Sequence, residues 1–451
     1  MGNVQKARKK FNEIERLRGK AIYSKVPEVA PEMQTLQNIG AYGVCGFNEK
    51  LKCLGIDKAI ANKIYSKDLT KEELKQIINE LKASSKIGDL FTNTEKALDV
   101  LEDEDFKSLK EAISIVDLEA ILQEKNGNVE MGNHLKELLS YCSGFKGTNI
   151  CVASESLRKL IVKMNSLEAA ESIYNPAIGA GILTMEVAQA NEIPYIYGYE
   201  MEQTAAKFCK MLLIAYGLVE QAVNIQVGNV FLQDLKMNNI GHFDKVVCEL
   251  PFGLTLTEET IEQLIALYPG RWSRTLGEMA YIYHAYDRLN AEGMASLIVS
   301  NGVLFRGGAE AEMRQKLLEE NCIACIIQLP NKMFTHTSIP TALMILKKNR
   351  SRKDVLFMDL TGEVNKVSRL VTQLSEETIQ KAFDLYKNYE NSGISRSVAI
   401  EEILNNESNL TVKRYIGTEE KEAVDLDEIN QTITALEQEL RMLQEKIKSK
   451  L

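Results

Sequence analysis

The sequence predicts a doubly wound α/β domain that follows a helical amino-terminal domain and precedes a helical tail. Three patterns support this division: helical periodicity in the first third of the chain, β-rich runs alternating with helical stretches after it, and a heptad repeat near the carboxyl end. The predicted domains are residues 1–134, 135–385 and 386–451. With 451 residues, 45% of them hydrophobic, the chain is large enough to bury more than one core.

The amino-terminal domain is predicted to be helical because apolar residues recur three and four positions apart from Lys6 to about Gln123, as in "TKEELKQIINELKA". Gly and Asn then interrupt the periodicity in "EKNGNVEMGNH", Glu124 to His134, which marks the predicted domain boundary. Residues 1–20 carry seven Lys or Arg against two Glu. That segment suits either a contact with nucleic acid or a solvated amphipathic helix.

Seven later runs have the length and composition of strands, and helical stretches separate them. They are "SIYN" from Ser172, "YIYGYE" from Tyr195, "NIQVGN" from Asn224, "KVVCEL" from Lys245, "ASLIVSN" from Ala295, "ACIIQLP" from Ala324 and "ALMILKK" from Ala342. This alternation is typical of a doubly wound, mostly parallel sheet. Because such sheets bind ligands at the carboxyl ends of their strands, functional residues are expected there.

Composition excludes several classes of protein. No apolar run approaches the roughly 20 residues that span a bilayer, so we expect a soluble, cytoplasmic protein without membrane contact. The net charge of -9 shows no global preference for nucleic acid. The eight cysteines lie in apolar contexts that suit reduced core thiols, and no second pair accompanies Cys322 and Cys325, so no metal site is predicted.

The tail contains a heptad seam that suits association with another helix. Its members are Ile429, Ile433, Leu436, Leu440, Leu443 and Ile447. A partner subunit, a second copy of the chain and the chain's own surface all remain possible occupants of that seam.

A glycine-rich turn follows the first predicted strand in "SIYNPAIGAGILTMEVA", which contains Asn175, Pro176, Gly179 and Gly181. Glycines between a strand and a helix let a nucleotide-like cofactor approach the backbone. Glu200 ends the next strand about 20 residues later, where an acid can accept hydrogen bonds from both ribose hydroxyls. Gly228 and Asn229 follow the third strand, and "ELPF", Glu249 to Phe252, follows the fourth.

At these motifs the sequence resembles a known family: the S-adenosylmethionine-dependent class I DNA methyltransferases that modify adenine N6, and among them the modification (M) subunit of type I restriction-modification systems. The resemblance extends from about Gly144 to the carboxyl end. It is most specific in "LIVSNGVLFRGGAEAEMRQKLLEENCIACIIQLPNKMFTHTSIPTALMILKK", Leu297 to Lys348, and includes "NNESNLTVKRYI", Asn405 to Ile416.

The resemblance implies a Rossmann-like class I methyltransferase fold with a seven-stranded doubly wound sheet, a helical amino-terminal domain and a coiled-coil-like carboxyl-terminal helix. It implies S-adenosylmethionine as the cofactor, duplex DNA as the substrate, and a separate specificity subunit docked on the terminal helix. A restriction subunit and self-association through that helix are further expected partners. The implied cofactor-binding residues are Asn175, Pro176, Gly179, Gly181, Glu200 and Asn229, and the implied catalytic residues are Glu249, Leu250, Pro251 and Phe252.

The chemistry of adenine explains that tetrapeptide. The N6 lone pair is delocalised into the ring, so acceptors must hold the amino hydrogens while an aromatic ring stacks on a base flipped out of the duplex. The family has Asn-Pro-Pro-Phe or Asn-Pro-Pro-Tyr where this chain has Glu249-Leu250-Pro251-Phe252. Glu249 can accept hydrogen bonds but cannot donate from an amide, and Leu250 retains a backbone N–H that proline lacks.

Three further departures leave two functions open. The two family acids that contact the cofactor are replaced here by Asn175 and Asn229, and the family's Phe-Tyr-Thr-Pro element aligns roughly with Cys151 to Ser154. The chain is therefore either an active adenine methyltransferase or a catalytically weakened subunit that serves in DNA binding or complex assembly. Methylation of an RNA or protein amine is a third, less favoured, possibility.

Three residues outside the cofactor-binding and catalytic motifs suit either a structural or a functional role. Trp272, between Arg271 and Arg274, either grips DNA or packs under its loop. Arg306 is expected in a surface turn before a helix, with contact to nucleic acid as the alternative. His336 is expected to be a loop residue rather than a general base.

Overall fold

The computed structural model describes residues 26–113, 117–143, 153–222, 224–233, 241–334, 339–363, 365–366 and 372–416. Three predictions lie outside the described residues: the basic segment 1–20, the heptad seam of the tail, and His336. Cys151 and Val152 also lie outside them.

The amino-terminal region is helical, as predicted. Its helices are α1 (Val26–Val44), α2 (Asn48–Leu54), α3 (Lys58–Ile64), α4 (Lys71–Ser84), α5 (Thr92–Leu98), α6 (Asp103–Ile113), α7 (Leu118–Gln123) and α8 (Gly127–Ser143), with a 3₁₀ turn at Gly88–Phe91. Helix α4 shows why these segments form. Thr70 and Glu73 make a reciprocal capping box at its start, and its leucines and isoleucines recur on one buried face.

Helix α1 forms the centre of this region, because residues 31–43 are all buried. Its Glu32 carboxylate reaches the start of α5 and accepts hydrogen bonds from the Thr94 backbone N–H at 2.6 Å and the Thr94 hydroxyl at 2.7 Å. Burial raises the pKa of Glu32 to about 7, and the Thr94 bonds oppose that rise. An acid from one helix therefore satisfies the free amino end of another.

The predicted boundary at residue 134 falls inside a helix. The interpretation of residues 124–134 as a break in helical structure is wrong beyond Gly127, where α8 begins. Helix α8 packs on the next region: the Tyr216 hydroxyl donates to Asn133 Oδ1 at 2.9 Å, and a Cβ at Gly132 would meet the Tyr216 ring at 2.2 Å. Gly132 is thus required by a close approach between the two regions, and the division of the chain into domains stays a prediction.

The sheet contains all seven predicted strands: β1 (Ser172–Asn175), β2 (Tyr195–Glu200), β3 (Ile225–Val227), β4 (Phe243–Glu249), β5 (Leu289–Ser300), β6 (Ile323–Gln328) and β7 (Thr341–Lys347). The predicted count of seven is too low, because β8 (Asp354–Asp359) pairs parallel to β6 and β11 (Ser395–Ala399) pairs antiparallel to β8. Within the described residues the order of the nine strands is β11-β8-β6-β7-β5-β4-β1-β2-β3. Strands β9 (Asn365–Lys366) and β10 (Thr372–Gln373) form a separate ribbon.

Helices flank the strands and complete the layers. They are α9 (Glu155–Met164), α10 (Ile182–Ala190), α11 (Gln203–Ala215), α12 (Val219–Ala222), α13 (Val230–Gln233), α14 (Glu258–Leu267), α15 (Gly277–Asp287), α16 (Asn301–Phe305), α17 (Ala309–Glu319), α18 (Glu376–Asn388) and α19 (Ile400–Asn405), with 3₁₀ turns at Asn165–Leu167 and Val412–Arg414. The predicted tail boundary at residue 386 lies within α18, and β11 joins the sheet beyond it. Residues up to Ile416 therefore pack with the α/β region.

The strand order reverses between β1 and β4. From β1 the chain proceeds outward through β2 and β3, and it then returns to place β4 on the other side of β1. The carboxyl ends of β1 and β4 consequently border a crevice at the point where doubly wound sheets bind ligands. None of the helices described is long and apolar enough to cross a membrane.

We predict that Glu32→Ala lowers the free energy of unfolding by about 2 to 4 kcal/mol, because the Thr94 donors lose their buried acceptor. Urea unfolding followed by circular dichroism measures this change. The exposed Glu80→Ala on α4 is the control and should change the free energy by less than about 0.5 kcal/mol. Equal effects of the two substitutions would contradict the role given to Glu32.

Candidate active site

A cavity of about 580 Å³ lies at the carboxyl ends of β1, β2 and β4. It has the size of a site for a small ligand. Predicted and unpredicted residues line it together: Asn175, Ala177, Ile178, Gly179, Ala180, Gly181, Ile182, Leu183, Glu200, Met201, Glu202, Ala205, Glu249, Leu250, Pro251, Phe252, Leu254, Tyr281, Phe334 and Ile339. The structure thus brings the glycine turn, the acid of β2 and the tetrapeptide of β4 into one site.

The glycine turn needs glycine at two positions for different reasons. Gly179 has φ +58°, and a Cβ built there would meet no atom within 4 Å, so its backbone is open. Gly181 has φ +79°, and a Cβ there would lie 2.6 Å from the Cys209 sulfur. The first glycine leaves room for a ligand, and the second lets α10 begin in close contact with α11.

Glu200 connects this turn to β2. One carboxylate oxygen accepts a hydrogen bond from the Gly179 backbone N–H at 2.7 Å, and the other accepts from the Glu202 backbone N–H at 2.9 Å. Burial raises the pKa of Glu200, while these two backbone donors lower it. The Met201 backbone N–H is a third donor to this carboxylate, so of its roughly four acceptor sites about one is left for a ligand.

Glu249 ends β4 at the cavity. Burial raises the pKa of its carboxyl to about 7, and the charge of Arg158 and a hydrogen bond from the Ala153 backbone N–H oppose the rise. Arg158 itself donates from Nε to Glu186 Oε2 at 2.8 Å and also bonds the Ala153 carbonyl. The charge state of Glu249, which stands where the family has an asparagine, therefore depends on Arg158 and on the backbone at Ala153.

The rest of the tetrapeptide is held by the sheet and by aromatic packing. The Leu250 backbone N–H, which proline would lack, donates to the Ile298 carbonyl at 3.2 Å and extends the pairing of β4 with β5. The half-buried Phe252 packs edge-on against Phe334, with 5.7 Å between ring centroids and 90° between planes. This contact fixes Phe252 while its ring still lines the cavity.

The asparagines that replace the family acids make internal hydrogen bonds. In Asn175, which lines the cavity, Nδ2 donates to the Thr184 hydroxyl at 3.0 Å and Oδ1 accepts from the Ala177 N–H at 3.0 Å. Asn229 is not among the lining residues: Nδ2 donates to the Thr260 hydroxyl at 2.9 Å, and Oδ1 accepts from the Phe231 N–H at 3.0 Å. Pro176 is buried in the turn and likewise does not line the cavity.

Two lining aromatics were missed by the sequence analysis. Tyr281 comes from the middle of α15, and its position in the sequence gives no sign that it faces the site. Phe334 lies beyond the carboxyl end of β6, inside the stretch that resembles the family. Residues that follow a strand of such a sheet are expected near the ligand, so this position could have predicted that Phe334 lines the site.

Other singled-out residues have structural contacts. Trp272 packs against Tyr268 and Tyr283, and its Nε1 donates to the Tyr268 carbonyl at 2.8 Å, which favours the packing interpretation. Cys322 and Cys325 are buried, and no cluster of three or more potential metal ligands occurs among the residues that the structure describes.

Fold and site together define a class I methyltransferase architecture in which β4 ends in Glu-Leu-Pro-Phe. The family model for N-6 DNA methylases matches residues 153–424, and the chain belongs to this family. The match covers the sheet, the glycine turn and the tetrapeptide.

Related proteins support the more specific resemblance to type I modification subunits. The type I restriction enzyme MpnII methylase subunit of Mycoplasma pneumoniae is 26% identical over 404 residues, which cover 84% of this chain and 72% of that protein. The type I restriction enzyme MjaVII methylase subunit of Methanocaldococcus jannaschii is 30% identical over 59% of this chain. That match spans only 49% of the M. jannaschii protein.

Among solved structures, the methyltransferase subunit of a type I restriction-modification system from Streptococcus thermophilus superposes with a TM-score of 0.76 at 19% identity, covering 92% of this chain and 100% of that one. A modification subunit of a putative type I restriction enzyme from Vibrio vulnificus has a TM-score of 0.62 at 13% identity, covering 89% and 92%. These likenesses confirm the predicted fold class.

We predict that Glu249→Gln stabilises the protein at alkaline pH. The folded-state pKa of about 7 lies above the ordinary value of 4.5, so the ionisation of Glu249 removes stability as the pH rises between these values. At pH 8 the substitution should raise the free energy of unfolding by up to about 3 kcal/mol, and the gain should fade toward pH 4.5. Urea unfolding across this range measures it, with the exposed Glu312→Gln as control. A gain that does not depend on pH would contradict the assignment.

Proposed function

We propose that this chain transfers a methyl group from S-adenosylmethionine to adenine N6 in duplex DNA, as the modification subunit of a type I-like assembly whose specificity subunit selects the site. The observation that carries the proposal is the shared cavity: Glu200 with the glycine turn lies on one side of it, and Glu249 with Phe252 on the other. Membership in the N-6 DNA methylase family supports both the reaction and the acceptor.

The residues at the glycine turn suit the cofactor. The open face of Gly179 leaves space beside the backbone, and the carboxylate of Glu200 can accept a hydrogen bond from a ribose hydroxyl. Bound S-adenosylmethionine supplies an electrophilic methyl group on a sulfonium. Asn175 borders the same space as a neutral residue, so its attraction for the cofactor's ammonium is weaker than that of an acid.

Glu249 and Phe252 would hold the target base. An ionised Glu249 can accept one hydrogen of the adenine amino group and a nearby backbone carbonyl the other, which keeps the nitrogen lone pair directed at the methyl donor. Phe252, fixed by Phe334, offers a ring face on which an extruded adenine can stack. No strong base is needed, because the methylated amine that forms is positively charged and loses a proton readily.

The protonation state of Glu249 determines when this arrangement works. Below a pH of about 7 the carboxyl is protonated, and the charged acceptor becomes a neutral, weaker one. The chain therefore has a pH requirement that an asparagine at this position does not impose.

A second function is favoured by the hydrogen bonding of the two asparagines. Both Asn175 and Asn229 direct their polar atoms into the protein, as in a subunit that has lost cofactor contacts and serves in DNA binding or complex assembly. The two functions differ in one observable, which is methyl transfer.

The proposed partners follow from the relatives. The relatives named above are methylase subunits of type I restriction enzymes, so we propose that this chain also works with a specificity subunit and assembles with a restriction subunit. The heptad seam of the tail is the proposed docking helix for the specificity subunit or for a second copy of the chain.

We predict that the rate of methyl transfer to duplex DNA falls by up to about tenfold per pH unit below pH 7, because protonation removes the charged acceptor that Glu249 offers to the adenine amino group. Transfer of labelled methyl groups, with the specificity subunit present, measures the rate. Glu249→Asn should abolish the pH dependence, Phe252→Ala should reduce the rate by roughly 100-fold, and Glu312→Gln is the control. Absence of transfer by the wild-type assembly at pH 8 would favour the second function.

We also predict that Glu200→Gln weakens the binding of S-adenosylmethionine by roughly 10- to 100-fold, because a charged acceptor for the ribose becomes a neutral one. Isothermal titration calorimetry with the full chain measures this affinity. Glu220→Gln on α12 is the control and should bind as the wild type does. Unchanged affinity in Glu200→Gln would show that the cofactor does not contact this residue.

A further inference from the structure

A series of alternating charges leads from the amino-terminal helical region toward Glu249. Lys136 Nζ, on α8, donates to Glu186 Oε1 at 3.2 Å, and Arg158 Nε, on α9, donates to Glu186 Oε2 at 2.8 Å. The side chains of Lys136, Glu186 and Arg158 are 22%, 18% and 12% exposed. Partly buried charges are screened by salt much less than exposed ones, so these three act on the groups around them.

Ala153 connects this series of charges to Glu249. Its carbonyl accepts a hydrogen bond from Arg158 Nη1, and its N–H donates to the Glu249 carboxylate. Ala153 is 2% exposed and forms an antiparallel bridge with Phe334, whose ring packs on Phe252. Arg158 is therefore tied through one backbone segment to both residues that would hold the target base.

The charges balance only when residue 249 is an acid. Lys136 and Arg158 contribute two positive charges, and Glu186 contributes one negative charge. An ionised Glu249 completes the alternation, whereas a neutral residue in its place would leave one positive charge without a counterpart. The charge of Arg158 favours the ionised form of Glu249, and the charge of Glu186 opposes it.

The cavity itself offers Glu249 no positive charge. None of the described residues that line it is cationic, and the two other charged ones, Glu200 and Glu202, are acids. The favourable charge acting on Glu249 thus comes from Arg158, which lies behind the cavity wall.

We propose that Arg158 is a positioning residue that keeps Glu249 available as a charged hydrogen-bond acceptor, and that Lys136 and Glu186 connect the amino-terminal helical region to this role. The inference deepens the proposed function and rests on it, because it presumes that Glu249 faces an adenine amino group.

The pH dependence of methyl transfer tests this role. The pH at which the rate is half its maximum is measured with labelled S-adenosylmethionine and the specificity subunit present. Arg158→Gln should raise this pH by roughly 0.5 to 1 unit because a favourable charge is lost, and Glu186→Gln should lower it because an opposing charge is lost. Both substitutions break the same 2.8 Å ion pair, so a merely structural role would not produce shifts of opposite sign.

Lys136→Gln tests the connection to the amino-terminal region. It removes a cation that offsets Glu186, so it should raise the half-maximal pH by less than Arg158→Gln does. An unchanged value would overturn the part of the inference that includes α8.

Three comparisons serve as controls. Arg158→Lys retains the charge and should keep the half-maximal pH near that of the wild type. Lys159→Gln and Glu376→Gln break an ion pair of 2.7 Å on the same helix and should not shift it. In a Glu249→Asn background, neither Arg158→Gln nor Glu186→Gln should have any effect on the pH profile, because the group that titrates is gone.

A second measurement distinguishes this inference from the proposed function, because it requires no activity. Glu249→Gln should stabilise the protein at pH 9, and this gain should be larger together with Arg158→Gln and smaller together with Glu186→Gln. The reason is that a higher folded-state pKa of Glu249 means that its ionisation removes more stability. Urea unfolding measures the gains.

The outcomes are distinct. If the wild-type assembly transfers no methyl group while the gains differ as stated, the proposed function fails and the influence of Arg158 on Glu249 is supported. If the wild type transfers methyl groups but Arg158→Gln and Glu186→Gln shift the pH profile in the same direction, or not at all, the proposed function stands and the inference is overturned.

Discussion

The pairing of β1 with β4 is the constraint on which the site depends. These strands run side by side in parallel, with Ile173 opposite Lys245 and Tyr174 opposite Val246, although about 70 residues separate them in the chain. Their ends must emerge together, so the glycine turn and the tetrapeptide share one edge of the sheet. Every polar group in the cavity is placed relative to this edge, and the hydrogen bond between Gly179 and Glu200 adds β2 to it.

Glu249, at the end of β4, illustrates how the requirements of the proposed function and of stability oppose each other at this edge of the sheet. A carboxylate in this position is costly to bury, which is why its pKa rises, yet its negative charge makes it a stronger hydrogen-bond acceptor than a neutral amide. Arg158 and the Ala153 N–H offset part of this cost without neutralising the group. At the candidate active site the chain thus tolerates an unfavourable charge, which the proposed function would use as a hydrogen-bond acceptor.

Much of the fold was predictable because buried strands of a doubly wound sheet are continuous apolar runs. Strand β11 was not, since "SRSVA" is an edge strand with polar residues and its pairing with β8 depends on tertiary contacts. At the site, Glu200 could be placed by its distance from the glycine turn. The internal bonds of Asn229 could not, because an asparagine side chain can bond either a ligand or nearby groups, and only the fold brings Thr260 within 2.9 Å. Tyr281 could not be predicted either, because the sequence of its helix does not show which face borders the cavity.

The hydrogen bond from the Leu250 N–H to the Ile298 carbonyl limits which residues position 250 can hold. It ties the segment after Glu249 to the neighbouring strand, and a proline at residue 250 would leave the Ile298 carbonyl without that donor. Leu250→Pro, which would match the family's proline, therefore removes this tie between strands, whereas Glu249→Asn leaves it in place. The end of β4 is thus held in the sheet by the backbone of residue 250, independently of the charge at residue 249.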